Sequence, residues 1–288
     1  MLLLLAALSF HAGTAVVADA AETGPRHISG VPGRQFSFPS DVAVDRRGIG
    51  FLLDSGNRTI VLFSPEGTFL REISGKGLWK DPMAIAVAPD GGIFLADGEA
   101  GRVLEIELSG KIRREYAVGR NARVTGVGFY GDSVYCLDNR NASISVFDRR
   151  GNRTSTWGRK GDLPGEFQSP FRLAIDGSGR VFVTDVMNAR VQWFSPFGQH
   201  LGTLKRFGAG EGKLFRPTGI GIDSKGRIWV GDSYTGLVQL FEGNGTFVRS
   251  LARNGKPNVF GDPVGVAEGP HAIWVADQRE EKVSLFPK

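Results

Sequence analysis

Apolar and polar residues alternate over short stretches of this chain, and the same arrangement returns with a period of roughly 45 residues. In each period an aspartate is followed six positions later by an aliphatic β-branched residue and nine positions later by a large apolar residue. The repeated aspartates are Asp54, Asp97, Asp138, Asp185, Asp232 and Asp277. A period of this length that persists along the chain indicates a repeat architecture.

Each period predicts four short strands separated by tight turns. Between Arg216 and Arg253 the strands are expected at 219–223, 227–231, 237–241 and 246–251. The first period predicts strands at 42–45, 50–54, 59–63 and 68–73. Short strands joined by glycine-containing turns are typical of antiparallel sheets.

A single four-stranded unit buries too little apolar surface to be stable alone, so the units must stack on one another. Six copies predict an all-β fold, a six-bladed β-propeller of four-stranded antiparallel blades. An open solenoid is the alternative, but it would need distinct polar caps, which the sequence does not show. The expected blades are 36–75, 76–119, 120–161, 162–210, 211–255, and 256–288 together with 22–30.

The two ends of the chain predict how the ring closes. The last period stops at Lys288, directly after its third strand, so its fourth strand is missing. Residues 26–30 repeat the pattern of residues 71–75, which form the expected fourth strand of the first blade. We therefore expect the N-terminal segment to add a strand to the last blade and protect its edge.

The first twenty residues have a composition typical of a secretory signal peptide. A short apolar run, residues 2–8, is followed by the small-residue pattern at 18–20. The formal charge of +5 becomes +6 when this segment, with its single Asp19 and no Lys or Arg, is removed. Cys136 is the one cysteine, so no disulfide framework is expected. We predict a secreted or periplasmic protein without a membrane span.

Two segments of the chain resemble NHL repeats. They run through residues 44–63, with the run Asp54-Ser55-Gly56-Asn57-Arg58, and through residues 215–233, with Pro217-Thr218-Gly219-Ile220. The resemblance covers essentially all of the chain after residue 20 and implies a six-bladed propeller. Animal NHL proteins bind RNA or protein beside zinc-binding modules, which one cysteine and four histidines cannot build.

Enzymes with similar propellers set a second expectation. An NHL-like lyase that matures amidated peptides uses a histidine zinc site, but His27, His200 and His271 are expected on an outer strand and in peripheral turns. The lactonase-like and streptogramin-lyase-like groups use Glu/Asn/Asp or His/Glu sets above the channel. Neither set can be matched to this chain residue by residue. No cofactor and no metal site are therefore predicted.

The repeated aspartates are interpreted as structural. A group that recurs once per blade serves the blade, whereas a catalytic centre needs different residues in one place. Aspartate at the end of a strand can accept backbone N–H groups of the following loop. A ring of carboxylates for metal binding or acid–base chemistry is the alternative.

Departures from the repeat are better candidates for function. Asp41 and Arg172 stand where other blades have small or apolar residues, and both should point toward the mouth of the central channel. Arg172 should face water, pair with an acid of a neighbouring blade, or meet an anionic ligand. The loops after the repeated aspartates add the ligand-binding candidates Arg58, Asn139, Arg140, Asn188, Arg190, Tyr234 and Arg279.

These loops predict one basic face, either as solvated charge or as a binding surface. No aromatic stacking ladder accompanies the charges, so nucleic acid is not expected. The leading hypothesis is an exported, monomeric, non-catalytic binding or scaffold propeller that engages a protein, a polysaccharide or another acidic ligand through this face. The competing hypothesis is a metal-dependent hydrolase or lyase at the channel mouth, using Asp41, Arg172, Asn139, Asn188 and Tyr234. A structural spacer in an envelope complex is a third possibility.

Overall fold

The computed structural model of the protein describes residues 24–253 and 255–288. The predicted signal peptide, residues 1–20, lies outside the described residues. Before the first blade the chain forms strand β1 (Arg26–Ile28) and a hairpin of β2 (Gly30–Val31) and β3 (Arg34–Gln35). No helix among the described residues has the length and apolarity needed to cross a membrane.

Six four-stranded antiparallel sheets make up the rest of the fold. Blade 1 consists of β4 (Pro39–Val44), β5 (Gly50–Asp54), β6 (Thr59–Phe63) and β7 (Phe69–Ser74). Blade 2 consists of β8 (Pro82–Val87), β9 (Ile93–Asp97), β10 (Arg102–Ile106) and β11 (Ile112–Ala117). Blade 3 consists of β12 (Val124–Tyr130), β13 (Ser133–Asp138), β14 (Ser143–Asp148) and β15 (Arg153–Trp157).

The second half of the ring repeats this arrangement. Blade 4 consists of β16 (Pro170–Ile175), β17 (Val181–Asp185), a 3-10 turn (Val186–Asn188), β18 (Arg190–Phe194) and β19 (His200–Leu204). Blade 5 consists of β20 (Pro217–Ile222), β21 (Ile228–Asp232), β22 (Leu237–Phe241) and β23 (Phe247–Ser250). The hairpin of β24 (Ala252–Arg253) and β25 (Lys256–Pro257) precedes blade 6, whose strands are β26 (Pro263–Glu268), β27 (Ala272–Asp277) and β28 (Lys282–Pro287).

Blade 6 is completed by the N-terminal strand. β1 pairs antiparallel with β28, and Arg26 lies opposite Leu285 while Ile28 lies opposite Val283. The sheet order is therefore β1-β28-β27-β26. The prediction that an N-terminal strand closes the ring is confirmed.

Apolar side chains fill each of the spaces between neighbouring blades. The cluster that closes the ring joins Leu52 and Val61 of blade 1 to Trp274 and Val283 of blade 6. Five further clusters join the remaining pairs of neighbouring blades. Both faces of every blade are thus buried, which confirms the closed six-bladed propeller rather than an open solenoid.

The repeated aspartates hold the loops at the end of each second strand. All six are buried, and each accepts backbone N–H groups. Asp97, for example, accepts from the amides of Lys80 at 3.0 Å and Asp81 at 2.9 Å. Asp232 also accepts from the following loop, at Tyr234 and Thr235, both at 3.1 Å. The carboxylate therefore binds the connection that precedes its blade as well as the loop that the sequence suggested.

The two faces of the ring differ in kind. One face, here called the open face, carries the blade-to-blade connections and the loops that follow the repeated aspartates. The opposite face, here called the turn face, carries the tight turns between first and second strands and between third and fourth strands. The connections of the open face are residues 36–38, 75–81, 118–123, 158–169, 205–216, and 251–253 with 255–262.

Candidate functional site

The mouth of the central channel is surrounded by the beginnings of the six first strands. β4, β8, β12, β16, β20 and β26 contact one another around the axis. In every blade the pairing of the first with the second strand shifts register near its start. Bulges of this kind are common beside functional sites because they redirect side chains.

Arg172 of blade 4 crosses the axis and closes the channel. Its side chain is almost fully buried. The guanidinium donates hydrogen bonds to the carbonyl of Thr125 in blade 3 at 2.7 Å and to those of Ser40 and Met83 in blades 1 and 2, both at 2.8 Å. Arg172 lies at the mouth, as predicted, but its main partners are backbone carbonyls of three other blades.

Asp41 of blade 1 lies beside this guanidinium. Its carboxylate accepts the amides of Val42 at 2.9 Å and Ile85 at 3.0 Å, and one oxygen is 3.9 Å from Nε of Arg172. Burial raises the pKa of Asp41 to about 6, although Arg172 and the two amides act in the opposite direction. The two side chains link opposite blades, and burial makes ionisation of the Asp41 carboxyl unfavourable.

Arg172 divides the channel into two cavities. The upper cavity, about 440 Å³, opens on the open face, and the lower cavity, about 240 Å³, extends toward the turn face. Apolar residues of the first strands line most of the lower cavity, including Val44, Val87 and Ile175. The upper cavity has more charged and polar side chains in its lining than the lower one, and it falls within the size range of small-ligand sites.

Besides Arg172, three cations line the upper cavity, Arg58, Lys80 and Arg123. Asp81 lies among them, and one of its carboxylate oxygens, Oδ2, is buried without a hydrogen-bond partner, as is Nε of Arg123. Burial raises the pKa of Asp81, Glu99 acts in the same direction, and Arg123 opposes them. Buried polar atoms without partners are rare in native proteins, so these atoms mark a place where a polar ligand or water can bind.

Phe38 contributes an aromatic wall to the same cavity. It has φ of 58°, a conformation that bulky residues other than glycine rarely adopt. Its side chain remains 56% exposed beside Phe171, which also lines the cavity. Such backbone strain is more frequent at binding sites than elsewhere.

Three of the predicted ligand-binding residues hold the protein together instead. Arg190 is buried and bonded to Asp185 at 3.1 Å and to the carbonyls of Asp162 and Glu166, both at 2.7 Å. Asn188 donates to Asp185 at 2.7 Å, and Asn139 donates to the carbonyl of Pro170 at 2.7 Å. The guanidinium of Arg190 and the amide nitrogens of both asparagines therefore bond within the fold.

The remaining predicted residues are exposed. Arg58, Arg140 and Arg279 lie on the open face, and none of them takes part in an ion pair within the described residues. The charge of Arg279 acts on Asp262, which precedes the first strand of blade 6. The structure brings Arg58 into the upper cavity and leaves Arg140 and Arg279 outside it.

Tyr234 belongs to an aromatic group that the sequence analysis did not find. Its ring stacks on Phe215, with ring centroids 4.0 Å apart and planes inclined by 20°. Phe207 lies against Phe215 with centroids 5.0 Å apart. We call Phe207, Phe215 and Tyr234 the aromatic shelf. The three residues come from two separate loops of blade 5, and only the fold brings them together.

A cavity of about 650 Å³, larger than the upper cavity, lies on the turn face between blades 1 and 2. It is a poorer candidate because its charges are already balanced. Arg47 pairs with Asp45 at 3.0 Å, and Arg113 lies 3.6 Å from both Glu105 and Glu107. A ligand would have to compete with these internal partners.

Among the described residues, histidine and cysteine do not meet at the axis. His27 lies on β1 and His200 on β19, both outer strands, and His271 lies in a turn. Cys136 is buried, and burial raises the pKa of its thiol. Over residues 24–253 and 255–288, no group of three or more His, Cys, Asp and Glu side chains is placed to hold a metal ion.

Known structures share this fold at low sequence identity. A streptogramin B lyase matches with a TM-score of 0.68 and 12% identity, over 92% of this chain and 99% of that chain. The virginiamycin B lyase of Staphylococcus aureus, in a catalytically inactive form with quinupristin, matches with a TM-score of 0.64 and 15% identity. The match covers 88% of this chain and 81% of that chain. A protein of unknown function from Bacteroides thetaiotaomicron matches with a TM-score of 0.71 and 15% identity, over 91% of this chain and 75% of that chain.

These similarities establish the propeller fold alone. No model of a known protein family matches the chain. The likeness to NHL repeats therefore remains a resemblance, while the six-bladed propeller that it implied is confirmed. Function has to be argued from the residues of this chain.

Proposed function

We propose that this protein is an exported, NHL-like binding propeller that takes an acidic ligand in the upper cavity of its open face. Residues 1–20 act as the signal peptide in this proposal and direct the chain to the periplasm or the exterior. The role is one of binding rather than catalysis. The observation that carries it is the group of unpaired cations around a cavity of about 440 Å³.

Two cations of the upper cavity, Arg58 and Lys80, lack acidic partners. Arg58 and Lys80 are exposed, and neither belongs to an ion pair within the described part of the chain. On the turn face, in contrast, Arg47, Arg180 and Arg227 pair with aspartates at 2.7–3.0 Å. A face with unpaired positive charge attracts and orients anionic ligands.

Two of the unpartnered buried atoms, on Arg123 and Asp81, narrow the chemistry of this ligand. Nε of Arg123 needs an acceptor, and Oδ2 of Asp81 needs a donor. A carboxylate that also carries hydroxyl or amide groups would supply both. A simple anion without donors would leave Asp81 unpaired, which is unfavourable in a partly buried site.

The test is a titration of the mature chain with polygalacturonate and polyglutamate as acidic probes and dextran as the neutral probe. The double variant Arg58→Ala/Lys80→Ala should weaken binding of the acidic probes by about tenfold or more, since two unpaired charges are lost. Arg150→Ala, which removes an exposed arginine from the turn face, is the matched control. Equal binding by the double variant and the control would refute the assignment of this cavity.

A metal-dependent hydrolase or lyase at the mouth remains the competing hypothesis. Its proposed residues Asp41, Asn139 and Asn188 are already bonded to the protein itself. The observation in its favour is Asp81, whose unpartnered oxygen and raised pKa would suit a proton acceptor. One tightly held divalent ion per chain, found by elemental analysis, would favour this alternative.

A further inference from the structure

Blade 5 presents exposed aromatic rings on the open face, whereas the other five blades contribute residues to the lining of the upper cavity. The residues around that cavity come from blades 1 to 4 and blade 6. Blade 5 contributes the aromatic shelf instead, in which Phe207 is 66% and Tyr234 is 60% exposed. Apolar side chains that are exposed singly need no explanation, but three aromatic rings of which Phe215 contacts the other two do.

The backbone beneath the shelf is fixed by buried side chains. Asp232 accepts the amides of Phe215 at 2.6 Å and Tyr234 at 3.1 Å, so one carboxylate positions both stacked residues. The side chain of Gln239, also fully buried, accepts the amide of Gly212 at 2.7 Å and donates to the carbonyl of Lys213 at 2.8 Å. A surface held in this way loses little conformational freedom when it binds.

Blade 4 has the same buried hydrogen bonds beneath its loops but lacks the aromatic rings of the shelf. Asp185 binds its connection as Asp232 does, through the amides of Gln168 and Ser169. Gln192 repeats the bonds of Gln239, with the amide of Gly165 at 3.0 Å and the carbonyl of Glu166 at 2.8 Å. The positions of the shelf are occupied there by Lys160, Gln168 and Met187. Because the same loop folds without aromatic residues at these three positions, the shelf is not explained by stability.

Positive charge surrounds the shelf. The connection 205–216 contains one acid, Glu211, and four exposed bases, Lys205, Arg206, Lys213 and Arg216. No ion pair between described residues includes any of these bases. The partner of the shelf should therefore carry negative charge.

The carboxylates near the mouth distinguish between classes of anionic partner. Arg216, next to Phe215, directly precedes the first strand of blade 5, so the shelf adjoins the mouth. There Asp81 and Asp262 each have a buried carboxylate oxygen without a hydrogen-bond partner. Such oxygens need hydrogen-bond donors, which the hydroxyl groups of sugars supply and phosphodiester groups do not.

We propose that the aromatic shelf binds an acidic polysaccharide whose chain continues into the upper cavity. The apolar face of a sugar ring lies on the shelf, carboxylates of the chain bind the surrounding bases, and hydroxyl groups bind the free carboxylate oxygens. This inference rests on the proposed function and names the class of ligand. It concerns binding only and requires no bond to be made or broken.

The test compares polygalacturonate binding by the mature chain and by Phe215→Gln/Tyr234→Met. This double variant gives blade 5 the residues that blade 4 carries at the same positions, so the fold should be retained. We expect affinity for the polymer to fall about tenfold or more. The matched control is Phe197→Ala, which removes a ring that is 91% exposed on the turn face and should leave affinity unchanged. If the double variant unfolds, Tyr234→Met alone gives the same comparison.

The outcomes separate this inference from the proposed function. If Arg58→Ala/Lys80→Ala weakens binding of polygalacturonate and the shelf variant does not, the shelf is wrongly assigned while the cavity stands. If neither variant changes binding, both are refuted. If an oligothymidylate or polyglutamate binds more tightly than polygalacturonate and is weakened by the shelf variant, the partner is a nucleic acid or an acidic protein instead. Loss of polygalacturonate binding in the shelf variant, with single galacturonate units unaffected, supports a chain that spans both sites.

Discussion

Arg172 connects the blades across the axis, whereas every other inter-blade contact described above runs around the ring. Its guanidinium satisfies the carbonyls of Ser40, Met83 and Thr125, which the bulged starts of three first strands leave directed at the channel. A buried guanidinium is stable here because hydrogen bonds and the charge of Asp41 offset its loss of water. One side chain thus closes the pore and limits the depth of the upper cavity.

The pH dependence of stability should reveal the ionisation of Asp41 beside Arg172. The pKa of Asp41 is about 6 in the fold and 3.8 when unperturbed. Because the folded pKa is the higher, the contribution of this carboxyl to the free energy of unfolding falls as the pH rises from about 4 to about 6. The fall is on the order of 3 kcal/mol. Asp41→Asn does not titrate, so its stability relative to the wild type should rise over the same range.

Urea unfolding of both proteins at pH values from about 4 to about 7 measures this difference. Carboxyls elsewhere, such as Asp90 and Asp176, have lowered pKa values, and they change the stability of both proteins equally. A difference between the two proteins that stays constant with pH would contradict the assignment of the raised pKa to Asp41.

At the scale of the blade, the repeated aspartate makes one kind of contact in all six blades and further contacts that differ between blades. In all six blades it binds the backbone of the loops on the open face. Its further partners vary, because Asp232 receives only backbone amides whereas Asp185 also receives Asn188 and the buried Arg190. Because buried side chains fix the backbone of these loops, their exposed residues can vary in sequence. Blade 5 presents the aromatic shelf on a loop whose backbone is held as that of blade 4 is.

This difference predicts unequal costs for the same substitution. Asp232→Asn should lower the free energy of unfolding by about 1–3 kcal/mol, because two amides lose a good acceptor. Asp185→Asn should cost about 3–5 kcal/mol, because the buried Arg190 also loses its carboxylate partner. Denaturant unfolding of both variants measures the two costs. Equal costs would show that Arg190 does not depend on Asp185.

The strands could be predicted from the sequence better than the site could. The expected strands at 50–54 and 59–63 agree with the observed ones, since they alternate regularly and are flanked by turns. β4 begins at Pro39 rather than at Val42, because the bulge interrupts the alternation. The partners of Arg172 could not be predicted, because backbone carbonyls leave no mark in a sequence.

At the scale of the molecule, closure by β1 determines whether the ring holds. The edge of β28 would otherwise expose unpaired backbone groups. Ile28 also packs on the cluster between blades 6 and 1, so the strand supports the last interface as well as the last sheet. First and last segments of the chain must therefore meet before the fold is complete, which implies many contacts between residues distant in sequence.

Deleting residues 21–30 should lower the melting temperature by roughly 10 °C, as expected for a loss of several kcal/mol in a domain of this size. The exposed edge should also promote association. Thermal unfolding with light scattering measures both effects, and a chain lacking only residues 1–20 is the control. An unchanged melting temperature would show that β1 is dispensable.

The closing strand also determines how the molecule can be attached to a support. Arg26 donates to the carbonyl of Glu66 in a tight turn, and Lys288 donates from its amide to the carbonyl of His271 in another. Both ends of the described chain thus emerge on the turn face. A tether, tag or sensor chip coupled at either end would leave the upper cavity and the aromatic shelf directed away from the support.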